Sequence, residues 1–170
     1  MKTLKFLLLL TIIFTGLNNA RADQPNLSVA FNKVINSYLD VKNALIAGDA
    51  TTAQAKAKNM VAALSAVPDK EMNAAQRKVW TEYLNKLTID SRHISEQNII
   101  DNKREHFATL SSNFMIVVKA INANKATLYQ QYCPMKKSYW LSETSAIKNP
   151  YYGNTMLTCG TTQNTLEAVK

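Results

Sequence analysis

The 170-residue sequence has few of the residues and motifs that mark an enzyme. It contains two cysteines, two histidines, four glycines and four prolines. It has no C-x-x-C, H-E-x-x-H or G-x-S-x-G motif and no glycine-rich phosphate-binding loop. Without a nucleophile, metalloprotease or nucleotide signature, we do not expect the protein to be an enzyme.

The sequence also lacks a basic run, and it has no long apolar segment beyond its N-terminus. Its net charge is +8, but the lysines and arginines are scattered along the chain. Nucleic-acid binders concentrate such charge on one face or stripe, so we expect no nucleic-acid partner. A membrane-spanning helix needs about 20 apolar residues, and no later segment supplies them. We therefore expect no membrane insertion once the apolar N-terminal segment is removed. We also expect the protein to be a monomer.

The N-terminus has the pattern of a secretory signal peptide. A basic start over residues 1–5 precedes an apolar run over residues 6–17, and a small-x-small pattern ends at Ala22. This pattern predicts cleavage after Ala22, and the absence of a cysteine there argues against a lipoprotein. We therefore expect a periplasmic or secreted protein, in which disulfides are allowed. The remaining residues, 23–170, have the length of a single domain.

Residues 26 to about 124 are predicted to form four helices. The first has an apolar stripe at helical spacing, and small apolar residues line the second. Gly48 fits a helix end, Asp49 fits the cap of the next helix, and Pro68 ends that helix. Short connections between four helices predict a mainly α fold, an up-and-down four-helix bundle. The stripe of the first helix is Leu27, Phe31, Val34, Tyr38, Val41 and Leu45.

The composition changes over residues 125–170, which we expect to form a small irregular cap on the bundle. This C-terminal segment is rich in aromatic residues and holds both cysteines. Leu128–Tyr132 and Ser138–Leu141 resemble short strands, and residues 149–153 resemble a turn. About forty residues of this kind are too few to fold alone. Met115 and Val118 lie off the inner stripe of the fourth helix and offer an apolar surface for the cap to cover.

Two cysteine–methionine pairs in the cap suggest a soft-metal site. Pro134 favours an extended Cys133, so the side chains of Cys133 and Met135 point to one side. Met156 and Cys159 are three residues apart and share a face if the segment makes a helical turn. Thiolate and thioether ligands select monovalent copper over hard cations. The spacing therefore permits a copper(I) site with up to four sulfur ligands.

The same spacing also permits a disulfide between Cys133 and Cys159. In an exported protein this bond would close a loop of roughly 25 residues and contribute about 3–4 kcal/mol. Met135 and Met156 would then be ordinary apolar fillers of the cap. His93 and His106 each flank a core position, which is typical of surface or boundary histidines. His106 is an additional candidate metal ligand if the cap covers its helix face.

Several segments together resemble one bacterial family of exported domains without an assigned function. The Cys-Pro-Met, Trp-Leu-Ser and Asn-Pro-Tyr-Tyr-Gly-x-x-Met-x-x-Cys-Gly motifs follow one another in the order typical of that family. Its domain occurs alone and also fused to the periplasmic adaptor subunits of Cus-type heavy-metal efflux pumps. The segments that carry the resemblance are residues 104–111, 131–135, 139–142 and 149–160.

The resemblance implies a helical domain that handles copper or a related soft metal outside the cytoplasm. Its implied ligands are Cys133, Met135, Met156 and Cys159, with His106 as a weaker addition. The expected function is metal buffering or delivery to a periplasmic efflux adaptor protein. The alternative is an envelope interaction module that is stapled by a Cys133–Cys159 disulfide and has no metal role.

Overall fold

The computed structural model describes residues 26–169, so the predicted signal peptide lies outside the described residues. Four helices are followed by three strands, of which the sequence predicted the first two. One-turn 3-10 helices at Asp69–Glu71 and Gly153–Thr155 lie in the connections. The main elements are α1 (Leu27–Ala47), α2 (Ala50–Ser65), α3 (Ala74–Glu96), α4 (Ile100–Ile121), β1 (Leu128–Cys133), β2 (Ser138–Ser142) and β3 (Thr161–Leu166).

Local capping interactions set the helix boundaries. Gly48 ends α1 in the left-handed conformation, with φ 73°. The Asp49 side chain then accepts a hydrogen bond from the Thr52 backbone N–H at 2.9 Å and starts α2. At the start of α3, Asn73 and Gln76 form a reciprocal capping box. Each of these signals is readable in the sequence.

Aromatic side chains form the centre of the helical core. The Tyr38 ring of α1 lies 5.2 Å from the Phe107 ring and 4.8 Å from the Phe114 ring of α4, measured between centroids. Phe31, two turns earlier on α1, lies 6.2 Å from Phe114. All four side chains are fully buried. Each helix packs mainly against its neighbours in the sequence, and the aromatic contacts join α1 to α4.

A buried lysine stabilises the end of α3. Lys103, on the inner face of α4, donates a hydrogen bond from Nζ to the Ile94 carbonyl at 2.6 Å. That carbonyl lies in the last turn of α3, where a positive charge complements the helix dipole. Burial lowers the pKa of Lys103. The lysine therefore occupies a core position because its ammonium group satisfies a helix end.

The three strands form an antiparallel sheet in the order β2–β1–β3. β2 packs against α4 and buries Trp140 and Leu141. Met115 and Val118 of α4 are also buried, as expected for a second apolar surface on that helix. The cap thus shares one continuous hydrophobic core with the helices.

The prediction of a mainly helical fold with four helices is confirmed, as is the presence of short strands in the C-terminal segment. The C-terminal segment is more regular than the expected irregular cap. β3, which was not predicted, completes its three-stranded antiparallel sheet. The up-and-down connectivity stays a prediction. Over residues 26–169, no helix has the length and apolar character needed to cross a membrane.

Candidate metal centre

The structure brings Cys133 and Cys159 together. Cys133 ends β1, and Cys159 lies two residues before β3. Pairing of Tyr132 with Thr161 aligns the two strands at this point, and the two thiols lie 4.1 Å apart. Both cysteines are free, because a disulfide requires sulfur atoms about 2.05 Å apart. The two positions singled out in the sequence therefore meet as a dithiol.

Asn149 fixes the loop that carries Cys159. Its side-chain Nδ2 donates to the Cys159 carbonyl at 2.7 Å, and its Oδ1 accepts from the Tyr151 N–H at 2.8 Å. The Asn149 backbone N–H donates to the Leu157 carbonyl at 2.8 Å. The asparagine is fully buried. Because one side chain joins both ends of this loop, Asn149 positions Cys159 just before β3.

Gly160 allows the chain to pass close to β1 and β2. A Cβ atom at this position would lie 2.7 Å from Cη2 of Trp140 and 3.0 Å from the Tyr132 carbonyl oxygen. Both distances are shorter than ordinary van der Waals contact. Trp140 is fully buried and has little room to move. Glycine after Cys159 therefore permits the close approach that places the two thiols together.

The turn between β1 and β2 holds Cys133. The Lys136 backbone N–H donates to the Cys133 Sγ at 3.4 Å. The Lys136 ammonium group forms an ion pair with Glu105 of α4. Its charge is thus partly neutralised, which weakens the repulsion that a bound cation would meet at this turn.

The protonation of Cys159 depends on its neighbour. Partial burial and the charge of a Cys133 thiolate raise the pKa of Cys159 above its usual value. The first proton to leave the pair therefore makes the second harder to remove. A bound metal ion offsets this cost, because it binds thiolates and releases their protons.

Met135 and Met156 differ in their exposure and in their place in the chain. Met135 lies in the β1–β2 turn, and 63% of its surface is exposed. Met156 is partly buried, and its carbonyl accepts from the Cys159 N–H at 3.1 Å. Met156 therefore belongs to the tight turn that leads into Cys159.

His106 has its contacts on α3. Its Nδ1 lies 3.6 Å from Asp90 Oδ1, and its ring centroid lies 4.6 Å from that of His93. No hydrogen bond or ring contact among the described residues joins His106 to either cysteine. The meeting of the two histidines was not predicted from the sequence, yet they form a pair at the α3–α4 interface.

Carboxylates and imidazoles do not converge on the dithiol. Within residues 26–169, no three side chains of histidine, cysteine, aspartate or glutamate are arranged to hold a metal ion. Any metal bound here by the protein would use the two thiols together with methionine sulfur or a ligand from outside the chain. Such a donor set is soft, which disfavours calcium and magnesium.

A family model described as a protein of unknown function, DUF3347, matches residues 34–126. The chain belongs to this family. The matched region covers more than half of the chain, runs from within α1 to just before β1, and includes both histidines. The dithiol lies beyond it. No curated protein and no solved structure matches the chain.

Proposed function

We propose that the protein binds one monovalent copper ion between Cys133 and Cys159. The observation that supports this proposal is the 4.1 Å separation of the two free thiols. Metal–thiolate bonds are about 2.3 Å long, so one ion can link two sulfurs up to about 4.6 Å apart. The observed separation lies below this limit and above the length of a disulfide. A copper ion therefore fits between the sulfurs with little movement of the backbone.

Met135 and Met156 would serve as additional ligands. A thioether needs no deprotonation and prefers soft ions such as copper(I). Met135 is exposed in the turn after Cys133, so it is suited to receiving or releasing the ion at the surface. His106 lies on α4 with its contacts toward α3, and we leave it out of the sulfur site. In this proposal the dithiol holds the ion and Met135 controls its exchange.

The proposed role is buffering of copper outside the cytoplasm, or its delivery to an efflux adaptor protein by ligand exchange. Exchange requires a site that a partner can reach, and Cys159 and Met135 both have solvent-accessible surface. The predicted signal peptide supports an exported location. Buffering and delivery use the same site and differ in whether a partner accepts the ion.

Anaerobic titration of the reduced protein with copper(I), followed by native mass spectrometry, tests the proposal. We expect one copper per chain, and we expect Cys133→Ala and Cys159→Ala each to lose it while circular dichroism shows a retained fold. Met135→Leu should weaken binding less. Met72→Leu is the matched control, because Met72 is buried in the helical core.

A reduced wild-type protein that takes up no copper would overturn the proposal. If the protein as purified has no free thiols and loses stability on reduction, the cysteines instead form a structural disulfide. The alternative function, an envelope interaction module stapled at this position, would then be the better account.

A further inference from the structure

The two histidines of the chain meet at one interface. His93 lies in the last turns of α3 and His106 near the start of α4. Their ring centroids are 4.6 Å apart, and the ring planes are inclined by 64°. The full sequence contains only these two histidines. The two imidazole rings of the protein are therefore neighbours.

Asp90 is placed to orient one of the rings. It precedes His93 by three residues, on the same face of α3. Its Oδ1 lies 3.6 Å from His106 Nδ1, and its side chain is 13% exposed. A proton on Nδ1 would face this carboxylate, leaving the Nε2 lone pair of His106 free. Metal-bound histidines commonly have such a carboxylate partner, which fixes the tautomer and the ring orientation.

Hydrogen bonds within the protein do not explain why the two histidines lie together. Within residues 26–169, neither ring makes a hydrogen bond to a protein group, and the Asp90 contact of His106 at 3.6 Å is longer than one. Both histidines are partly exposed, so water or a small ion can reach them. Two polar rings packed edge to face at the rim of a core therefore retain free ligand atoms.

We propose that His93 and His106 together bind a divalent transition metal such as zinc, with Asp90 as the positioning residue for His106. Imidazole suits zinc, copper(II) and nickel. No third histidine, cysteine or carboxylate among the described residues completes the set, so water fills the remaining coordination positions. This site differs from the dithiol in its ligands and in its place in the fold. The proposal does not depend on copper binding by the cysteines.

Imidazole nitrogen NMR of the untagged, 15N-labelled protein tests the proposal during titration with zinc. Only histidine rings appear in this spectrum, so zinc bound to the thiols does not produce a false signal. We expect both histidines to shift together and to saturate at one zinc per histidine pair. Removal of zinc with a chelator should restore the original spectrum.

Three variants separate binding from structure. His93→Gln should remove the zinc response of His106 at concentrations that saturate the wild type. Asp90→Asn should weaken zinc binding about 10–100-fold and shift the tautomer of His106, which a merely structural role would not do. Asp101→Asn is the control, because Asp101 lies on α4 with a side chain that is 78% exposed.

Independent shifts of the two histidines would overturn the proposal, as would an unchanged zinc response of His106 in His93→Gln. An unchanged zinc affinity and tautomer in Asp90→Asn would remove Asp90 from its positioning role. Each of these results can arise whether or not the cysteines bind copper.

Discussion

The Tyr38 hydroxyl of α1 accepts a hydrogen bond from the Leu141 N–H of β2 at 3.1 Å. The same hydroxyl lies 2.7 Å from Ser111 Oγ on α4. One buried group thus joins two helices to the cap that carries the dithiol. Burial raises the pKa of Tyr38 far above its ordinary value, so the group stays a neutral phenol. The cap is therefore tied to the bundle by hydrogen bonds as well as by apolar packing.

Tyr38→Phe should lower the free energy of unfolding by about 1–3 kcal/mol, because it leaves the buried Leu141 N–H and Ser111 hydroxyl without this partner. Urea denaturation followed by circular dichroism measures the change. Tyr83→Phe is the control, since Tyr83 is only partly buried and its hydroxyl makes no hydrogen bond within residues 26–169. Equal stability of the two variants would contradict the role given to Tyr38.

Asn149→Ala should disturb both stability and copper binding. The change removes buried hydrogen bonds to Cys159 and Tyr151, at a cost of about 1–3 kcal/mol. It also frees Cys159 to move, so copper affinity should fall about 10–100-fold, as for other residues that support metal ligands. A chelator competition assay measures the affinity. Asn154→Ala in the same loop is exposed and should change neither quantity.

Gly160→Ala should lower the free energy of unfolding by about 1–3 kcal/mol, because the new methyl group collides with Trp140 and with the backbone of Tyr132. The fluorescence of Trp140 should change as the ring is displaced, and Trp140→Phe in the same background identifies that signal against the other tryptophan, Trp80. An alanine variant as stable as the wild type would contradict the close approach of Gly160 to Trp140.

The Lys42–Glu143 ion pair should make stability depend on pH in the acidic range. Burial alone would raise the pKa of Glu143, but hydrogen bonds from Lys42 and Asn43 lower it below its usual 4.5. Its folded-state pKa is therefore lower than its unfolded-state pKa. The resulting stabilisation is present above about pH 4.5 and is lost as the pH falls through the lowered folded-state value.

Glu143→Gln should reduce the free energy of unfolding by about 1–2 kcal/mol at pH 7, less than for a fully buried pair, because the Glu143 side chain is 37% exposed. The difference from the wild type should shrink between pH 5 and pH 3 in thermal denaturation. Glu96→Gln, at an exposed position, is the control. A difference that stays constant over this range would contradict the ion-pair account.

Much of the helical architecture was predictable because its signals are local. Gly48, Asp49 and Asn73 mark helix ends through their own backbone and side-chain chemistry. β3 was missed for the opposite reason. Its sequence, Thr161–Leu166, is polar and almost wholly exposed, so it lacks the alternation that predicts a strand. Backbone pairing with β1 determines this strand.

The candidate sites were predictable only in part. The motif around Cys133 and Cys159 pointed to these two positions but left open whether they form a disulfide or a metal site. The role of Asn149 depends on a loop closure that spacing does not reveal. The His93–His106 pair has a signal that could have been used. Both residues lie within two helical turns of the short α3–α4 connection, so packing of these helices brings them near each other. Sequence periodicity considered one helix at a time does not show this.

Copper K-edge X-ray absorption of the reduced protein, loaded with one equivalent of copper(I), tests the central claim most directly. The account predicts a first coordination shell of sulfur alone at about 2.3 Å, and its loss in the Cys133→Ala variant. A shell of nitrogen or oxygen, or a sulfur shell that persists in that variant, would contradict a copper site formed by Cys133 and Cys159.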